Sequence, residues 1–362
     1  MYFEVDFDGN NEPLLLAIGL GTLECEESWR WFIMKLKECL GEDIDDGFIS
    51  NLCDKIDFVV QSVYPDSYHR YCPKDIARKI RNFVGHNDTE VEMLFWKSCN
   101  AYSVHDFYLC LERLQSSYRK PPFYTLLRSL IIWLDDIAIS KWTQAFFPKV
   151  RYDVKSIDVP EMLQIISKST REFPITTIIE LINTSIQSKY VERAEVAVLQ
   201  GGCLVGVTPY VENKVKKRVN ESYNWVAKCL YEDTFEVDDN FATNKVQFER
   251  RVCSCGKLQK SSIPCGHAIA SLRTRTSETI HVMVDYKFTA FVYRVAFGSE
   301  SVNSIPSHVH WEIPNERVVL HETKMIQHEL LAGPVENCPL QLQSKLEPKR
   351  PPIRCSIYVV QV

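Results

Sequence analysis

One short stretch constrains this chain more than any other. Residues 251–270 read Arg-Val-Cys-Ser-Cys-Gly-Lys-Leu-Gln-Lys-Ser-Ser-Ile-Pro-Cys-Gly-His-Ala-Ile-Ala, which sets Cys253-x-Cys255 a short spacer ahead of Cys265-x-His267. Three thiolates and an imidazole are the donor set of a closed, four-coordinate structural zinc site. The spacing can be built locally. In an extended segment, side chains two apart share a face, so Cys253 and Cys255 can turn toward one ion. Lys260-Ser261-Ser262 and Pro264 reverse the chain. Cys265 then precedes a helix predicted over 268–273, with His267 on its first turn, where the helix N-terminus favours a nearby thiolate.

The rest of the composition is that of an ordinary folded chain. Its 362 residues are 45% hydrophobic and 25% charged, enough for two or three domains with sizeable cores. A net charge of −5 gives no global basic field, so any contact with nucleic acid must rest on local patches. The thirteen cysteines are an odd number, and outside 253–265 they are scattered singly, which fits free thiols in a reducing compartment. With an acidic start and no signal peptide, a soluble intracellular protein is expected. The apolar runs at 14–20 and 130–134 are too short to span a bilayer.

Taken in order, Tyr2 to Phe7 alternates as a strand, Asp8-Gly9-Asn10-Asn11 is a turn, and Pro13 to Gly21 is a second strand. Trp29 to Leu40 has helical spacing, 47–50 reads as a buried strand, and Lys55 to Val63 as a helix. Helical patterns follow over 76–83, 90–102, 104–118 and 124–147, with Pro121-Pro122 breaking the run. A further helix is expected to open at Asp158-Val159-Pro160-Glu161, and another covers 174–193. The basic run Lys214 to Arg218 lies on a predicted helix, as a solvated face or a binding surface. Strands are expected over 230–240 and 244–251, a β-rich segment over 279–297, and an irregular, proline-containing tail over the last 60 residues or so.

Several of these segments together resemble a known family. The Cys-x-Cys and Cys-x-His pairs look like a SWIM-type zinc finger, and Ile263-Pro264-Cys265-Gly266-His267-Ala268-Ile269-Ala270 is typical of the version in plant Mutator-like (MuDR/MULE) transposases. Asp8 to Asn11 with Leu15-Leu16-Ala17, and Glu27 to Phe32, resemble that family's catalytic core. So do Ile49-Ser50, Val63 to Ser67, and His69-Arg70-Tyr71-Cys72. Lys141 to Phe147 and Arg171 to Pro174 match later segments, so the likeness runs over about residues 1–275.

The resemblance implies a mixed α+β and α/β fold: a truncated ribonuclease H-like core with a helical insertion, then a small SWIM-type zinc-binding ββα unit. The expected divisions are 1–70 for the partial core, 71–150 for the insertion, 151–200 for helices completing the core, and 201–239 for a connection. The finger would take 240–275 and the β-rich segment and tail 276–362. It also implies nuclear localisation and a chemistry in which two aspartates and a glutamate hold magnesium ions. Here the first aspartate has no counterpart, Asn51 stands at the second, and only Glu161 matches the third. Asp6, Asp8 and Asp54 are the nearby substitutes. The expectation is therefore a zinc-binding protein derived from such a transposase, nucleic-acid binding and catalytically inactive, with ligands Cys253, Cys255, Cys265 and His267 and no residue assigned to catalysis. Arg250, Arg251, Lys257, Lys260, Arg273 and Arg275 around the finger could contact DNA phosphates. A zinc-dependent protein-interaction module and an active magnesium-dependent transposase or nuclease are the alternatives.

Overall fold

A computed structural model describes residues 2–19, 25–40, 47–84, 89–116, 123–154, 175–199, 206–275, 280–298 and 356–361. The first elements follow from alternation and a strong turn. β1 (Tyr2–Phe7) sends Phe3, Val5 and Phe7 to one core and Tyr2 to another, as a period of two requires. Asp8 closes the turn by accepting the N–H groups of Asn10 and Glu12 at 2.9 and 3.0 Å, and Asn11 takes a φ of 59°, a conformation asparagine tolerates. β2 (Pro13–Gly19) then pairs antiparallel with β1. α1 (Glu26–Leu40), β3 (Gly47–Ser50), α2 (Asp54–Val63) and β4 (Tyr68–Tyr71) follow. Trp29, Phe32, Ile33 and Leu36 of α1 and Ile56, Val59 and Val60 of α2 bury one sheet face.

Four helices form a second body: α3 (Pro73–Val84), α4 (Thr89–Cys99), α5 (Val104–Ser116) and α6 (Phe123–Asp136). Ile76, Ile80, Phe95, Phe107, Leu130 and Trp142 fill its interior. The helix predicted over 124–147 is corrected here. It stops at Asp136 and resumes only as a 3₁₀ turn, Ile139–Lys141. Asp135 and Asp136 would lie against the negative end of the helix dipole, and the chain must bend to bury Trp142. Next, α7 (Ile175–Leu199) lays Ile178 and Ile182 on the sheet face carrying Phe3, Val5 and Ile49. The segment holding Glu161 lies outside the described residues.

α8 (Pro209–Glu221) leads into a second, antiparallel sheet: β5 (Val226–Tyr231), β6 (Thr234–Asp238), β7 (Thr243–Gln247) and β8 (Val252–Cys253), in the order β5-β6-β7-β8. The single strand expected over 230–240 is therefore two, broken at Glu232-Asp233. Asp233 anchors that turn by accepting the N–H of Glu249 at 2.9 Å and, through its carbonyl, that of Phe248 at 3.1 Å. α9 (Lys257–Ser261) and α10 (Gly266–Leu272) complete the unit, with a short helix where only a turn was expected at 260–262.

Residues 280–298 are also corrected, from β-rich to helical: 3₁₀ turns Ile280–Met283 and Tyr286–Phe288, then α11 (Ala290–Phe297). Capping outweighs the β-branched composition, because Asp285 accepts the N–H of Lys287 at 3.1 Å and Thr289 that of Val292 at 3.3 Å. The last described element overturns the expectation of an irregular end. β9 (Ser356–Gln361) is a central strand of the first sheet, whose order is β2-β1-β9-β3-β4. It runs antiparallel to β1 and parallel to β3, pairing Val359 with Glu4 on one side and Ser50 on the other. Its Ile-Tyr-Val-Val sequence suits a strand. Among the described residues, no helix is long and apolar enough to cross a membrane.

Candidate metal centre

Cys253, Cys255, Cys265 and His267 converge. Their ligand atoms all lie within 4.8 Å of one another, and Cys253 Sγ is 3.6 Å from His267 Nδ1. The donors of a tetrahedral zinc ion stand roughly 3–4 Å apart, given zinc–donor bonds of about 2.0–2.3 Å. The four side chains fit such an ion in chemistry, and their donors, all within 4.8 Å, lie close to that spacing.

Two local devices hold the cysteines. Gln259 of α9 clamps Cys253, accepting its N–H at 3.2 Å and donating to its carbonyl at 2.8 Å. Gly256 follows with a φ of 74°, and a Cβ there would collide with the carbonyl of Tyr102. Only glycine meets both conditions. On the other side Cys265 is the N-cap of α10, its Sγ accepting the N–H of Ala268 at 3.5 Å, and this puts His267 in the first turn. A Cβ on Gly266 would strike the ring of Trp225, which stacks on His267 with centroids 4.6 Å apart.

The thiols titrate unequally. Hydrogen bonding with Cys255 and then Cys265 pushes the Cys253 thiol far up, whereas hydrogen bonds with Cys253 and then Cys265 hold Cys255 far below the usual thiol range. The physical cause is crowding: one thiolate is welcomed by neighbouring S–H donors, but a second adjacent negative charge is resisted until a cation enters. Burial opposes protonation of His267, yet hydrogen bonds to Cys255 and Cys265 raise it to about 10.

Residues 237–275 match the family model of the SWIM zinc finger. The match and the converging donors make this a structural zinc centre. No curated protein and no solved structure matches the chain.

The basic residues singled out in the sequence are largely committed to the protein itself. Arg251 donates to the Val282 carbonyl at 3.1 Å, Arg273 to those of Tyr223 at 3.0 Å and Ser222, and Arg275 to that of Glu232 at 2.9 Å. Lys260 donates to the Phe147 carbonyl, and Lys257 lies over the Tyr102 ring at 5.6 Å. Arg250 is exposed. The run 214–218 is neither a plain solvated face nor a free patch. Lys214 pairs with Asp153 at 2.6 Å, Lys216 with Glu212 at 3.6 Å, and buried Arg218 donates to the carbonyls of Ile263 and Pro264, both at 2.8 Å. Those carbonyls immediately precede Cys265.

The unit is thereby fastened to the rest of the chain. Asp153 receives the hydroxyls of Tyr102 at 3.2 Å and Tyr210 at 2.7 Å, besides Lys214, and the Arg151 N–H meets the Lys260 carbonyl at 2.8 Å. None of Trp225, Gln259 or Asp153 stood out in the sequence. Only the basic run gave a signal for Arg218, and it pointed elsewhere.

The substitute carboxylates are dispersed. Asp8 pairs with buried Arg193 at 2.6 Å, Asp54 accepts the Tyr71 hydroxyl at 2.9 Å, and Asp6 accepts the Phe7 N–H at 2.7 Å. Among the described residues, the cysteine–histidine group is the one cluster of three or more such donors close enough to share an ion.

Proposed function

We propose that this chain is a zinc-stabilised binding protein of Mutator-like transposase descent that has lost DNA cutting and acts in the nucleus through the surface around its finger. The observation that carries this is the contrast between one complete metal site and carboxylates engaged elsewhere. Sheet order supports it. β9 occupies the edge of β1 that β2 leaves open. β9, Ser-Ile-Tyr-Val-Val-Gln, brings no carboxylate. The domain divisions follow the same reading, with the finger joined to a ribonuclease H-like body directly through Lys260 and indirectly through α8, whose Arg218 holds the finger and whose Tyr210 and Lys214 hold Asp153.

The finger's surface favours a protein partner. Five of the six basic residues considered for phosphate contact make intramolecular contacts. Meanwhile Tyr223, Tyr231 and Phe241 are exposed, Phe241 at 98%. Exposed aromatic side chains of this kind are typical anchors of protein interfaces. Nucleic acid is the second reading, supported by the exposure of Arg250, Lys228 and Lys245 and by the family resemblance.

Zinc-loaded protein titrated with duplex and single-stranded DNA across a salt series separates these readings. A protein-docking finger gives weak binding with a shallow salt slope, whereas a phosphate-contacting one loses affinity steeply as salt rises. Cleavage of the same DNA with magnesium would overturn the loss of catalysis.

A further inference from the structure

The two nitrogens of His267 have different neighbours. Nδ1 faces the thiols, 3.6 Å from Cys253 Sγ. Nε2 points away from them, 3.0 Å from Asp239 Oδ2, with the Asn244 side-chain amide 3.2 Å off. A neutral imidazole offers a metal one lone pair and keeps its proton on the other nitrogen, so whatever accepts a hydrogen bond from that N–H selects the tautomer.

Asp239 is built for that task. It opens the β6–β7 turn, where its Oδ1 accepts the N–H groups of Phe241 at 2.9 Å and Ala242 at 2.7 Å. Its own N–H meets the Ala242 carbonyl at 3.2 Å, and Asn240 takes a φ of 70°. One carboxylate oxygen is thus spent holding the turn, and Oδ2 is left facing the ring. Trp225, stacked at an interplanar angle of 25°, fixes the plane in which the contact is made.

We propose that Asp239 is a positioning residue of the zinc centre. Its carboxylate accepts a hydrogen bond from the Nε2–H, holds His267 as the Nδ1-binding tautomer and strengthens that nitrogen as a ligand. The residue sits upstream of both ligand pairs, and its approach to the metal centre depends on the β6–β7 hairpin.

The test uses the full chain and zinc alone. Asp239→Asn keeps an oxygen for the Phe241 and Ala242 N–H groups but removes the charge facing His267. Competition against a chelator should show zinc held about 10- to 100-fold more weakly. Asp239→Glu, which keeps the charge, should recover part of that loss. Long-range proton–nitrogen NMR of the wild-type protein should show the His267 proton on Nε2 and the metal-bound signature on Nδ1. Wild-type zinc affinity in Asp239→Asn, or zinc on Nε2 with the proton on Nδ1, would overturn the proposal.

Discussion

Arg218 offers the sharpest energetic test of how the finger is held. It lies in a basic run, yet it is 5% exposed and its guanidinium spans the carbonyls of Ile263 and Pro264. Hydrogen bonds to a charged group contribute about 1.5–3 kcal/mol each. Replacing Arg218 with Met keeps much of the aliphatic packing but removes both hydrogen bonds, leaving the Ile263 carbonyl only the Ser261 hydroxyl at 3.2 Å. The expected cost is about 2–4 kcal/mol. Because those carbonyls lead directly into Cys265, part of the loss should appear as weaker zinc binding, tenfold for each ~1.4 kcal/mol that falls on the bound state. The neighbouring Lys217→Met is the control. Its side chain is 75% exposed beside Glu221, so its stability should stay within about 0.5 kcal/mol of wild type. Urea unfolding of the zinc-loaded proteins, followed by tryptophan fluorescence, measures both. Equal stability of the two variants would refute the argument that Arg218 braces the zinc loop.

Three further outcomes follow from the body. Arg193→Met leaves the buried Asp8 carboxylate without its cation and should cost about 3–5 kcal/mol in denaturant unfolding. Val359→Pro removes an N–H from a central strand and should lower the melting temperature sharply, whereas an unchanged melting temperature would mean that β9 does not complete the sheet. The third concerns pH. Burial depresses the pKa of His69, against the raising influence of Asp57 2.8 Å away. Asp57 is in turn held at about 2, burial opposing the shift but contacts with His69 and Lys141 prevailing. Both folded values lie below the unfolded ones, so the unfolded chain binds more protons. The His69 contribution is present above its ordinary value of 6.5 and is lost as pH falls toward the lower folded value, with the Asp57 contribution going below 3.8. Melting curves from pH 8 to 5 should fall more steeply for wild type than for His69→Gln, and parallel curves would contradict this.

The zinc ligands were legible in the sequence because their chemistry is local: four soft donors, two tight pairs and a helix start lie within one stretch. What orients them was not. Asp239 and Trp225 reach His267 only after the β6–β7 hairpin and α10 pack together, and neither residue type at those positions signals a metal. Arg218 shows the opposite failure, since its charge was visible but its burial was not. In the body, the hairpin β1–β2 and the helices α1 and α2 follow directly from alternation, turn chemistry and apolar spacing. β9 could not be read in that way. A short apolar run is compatible with many environments, and its place between β1 and β3 is set by topology far away in the chain. Residues 280–298 misled for a third reason: their β-branched and aromatic composition favours strands, while Asp285 and Thr289 cap helices.

The most direct measurement is the zinc content of the intact, reduced chain, taken together with its unfolding on chelation. The account predicts one zinc ion per chain, lost when Cys265 or His267 is replaced. Because the finger is tied to the body through Lys260 and, by way of α8, through Arg218 and Asp153, chelation should also lower the stability of the helices around Trp142. A zinc content near zero, or zinc retained at full stoichiometry after both Cys265 and His267 are replaced, would contradict it.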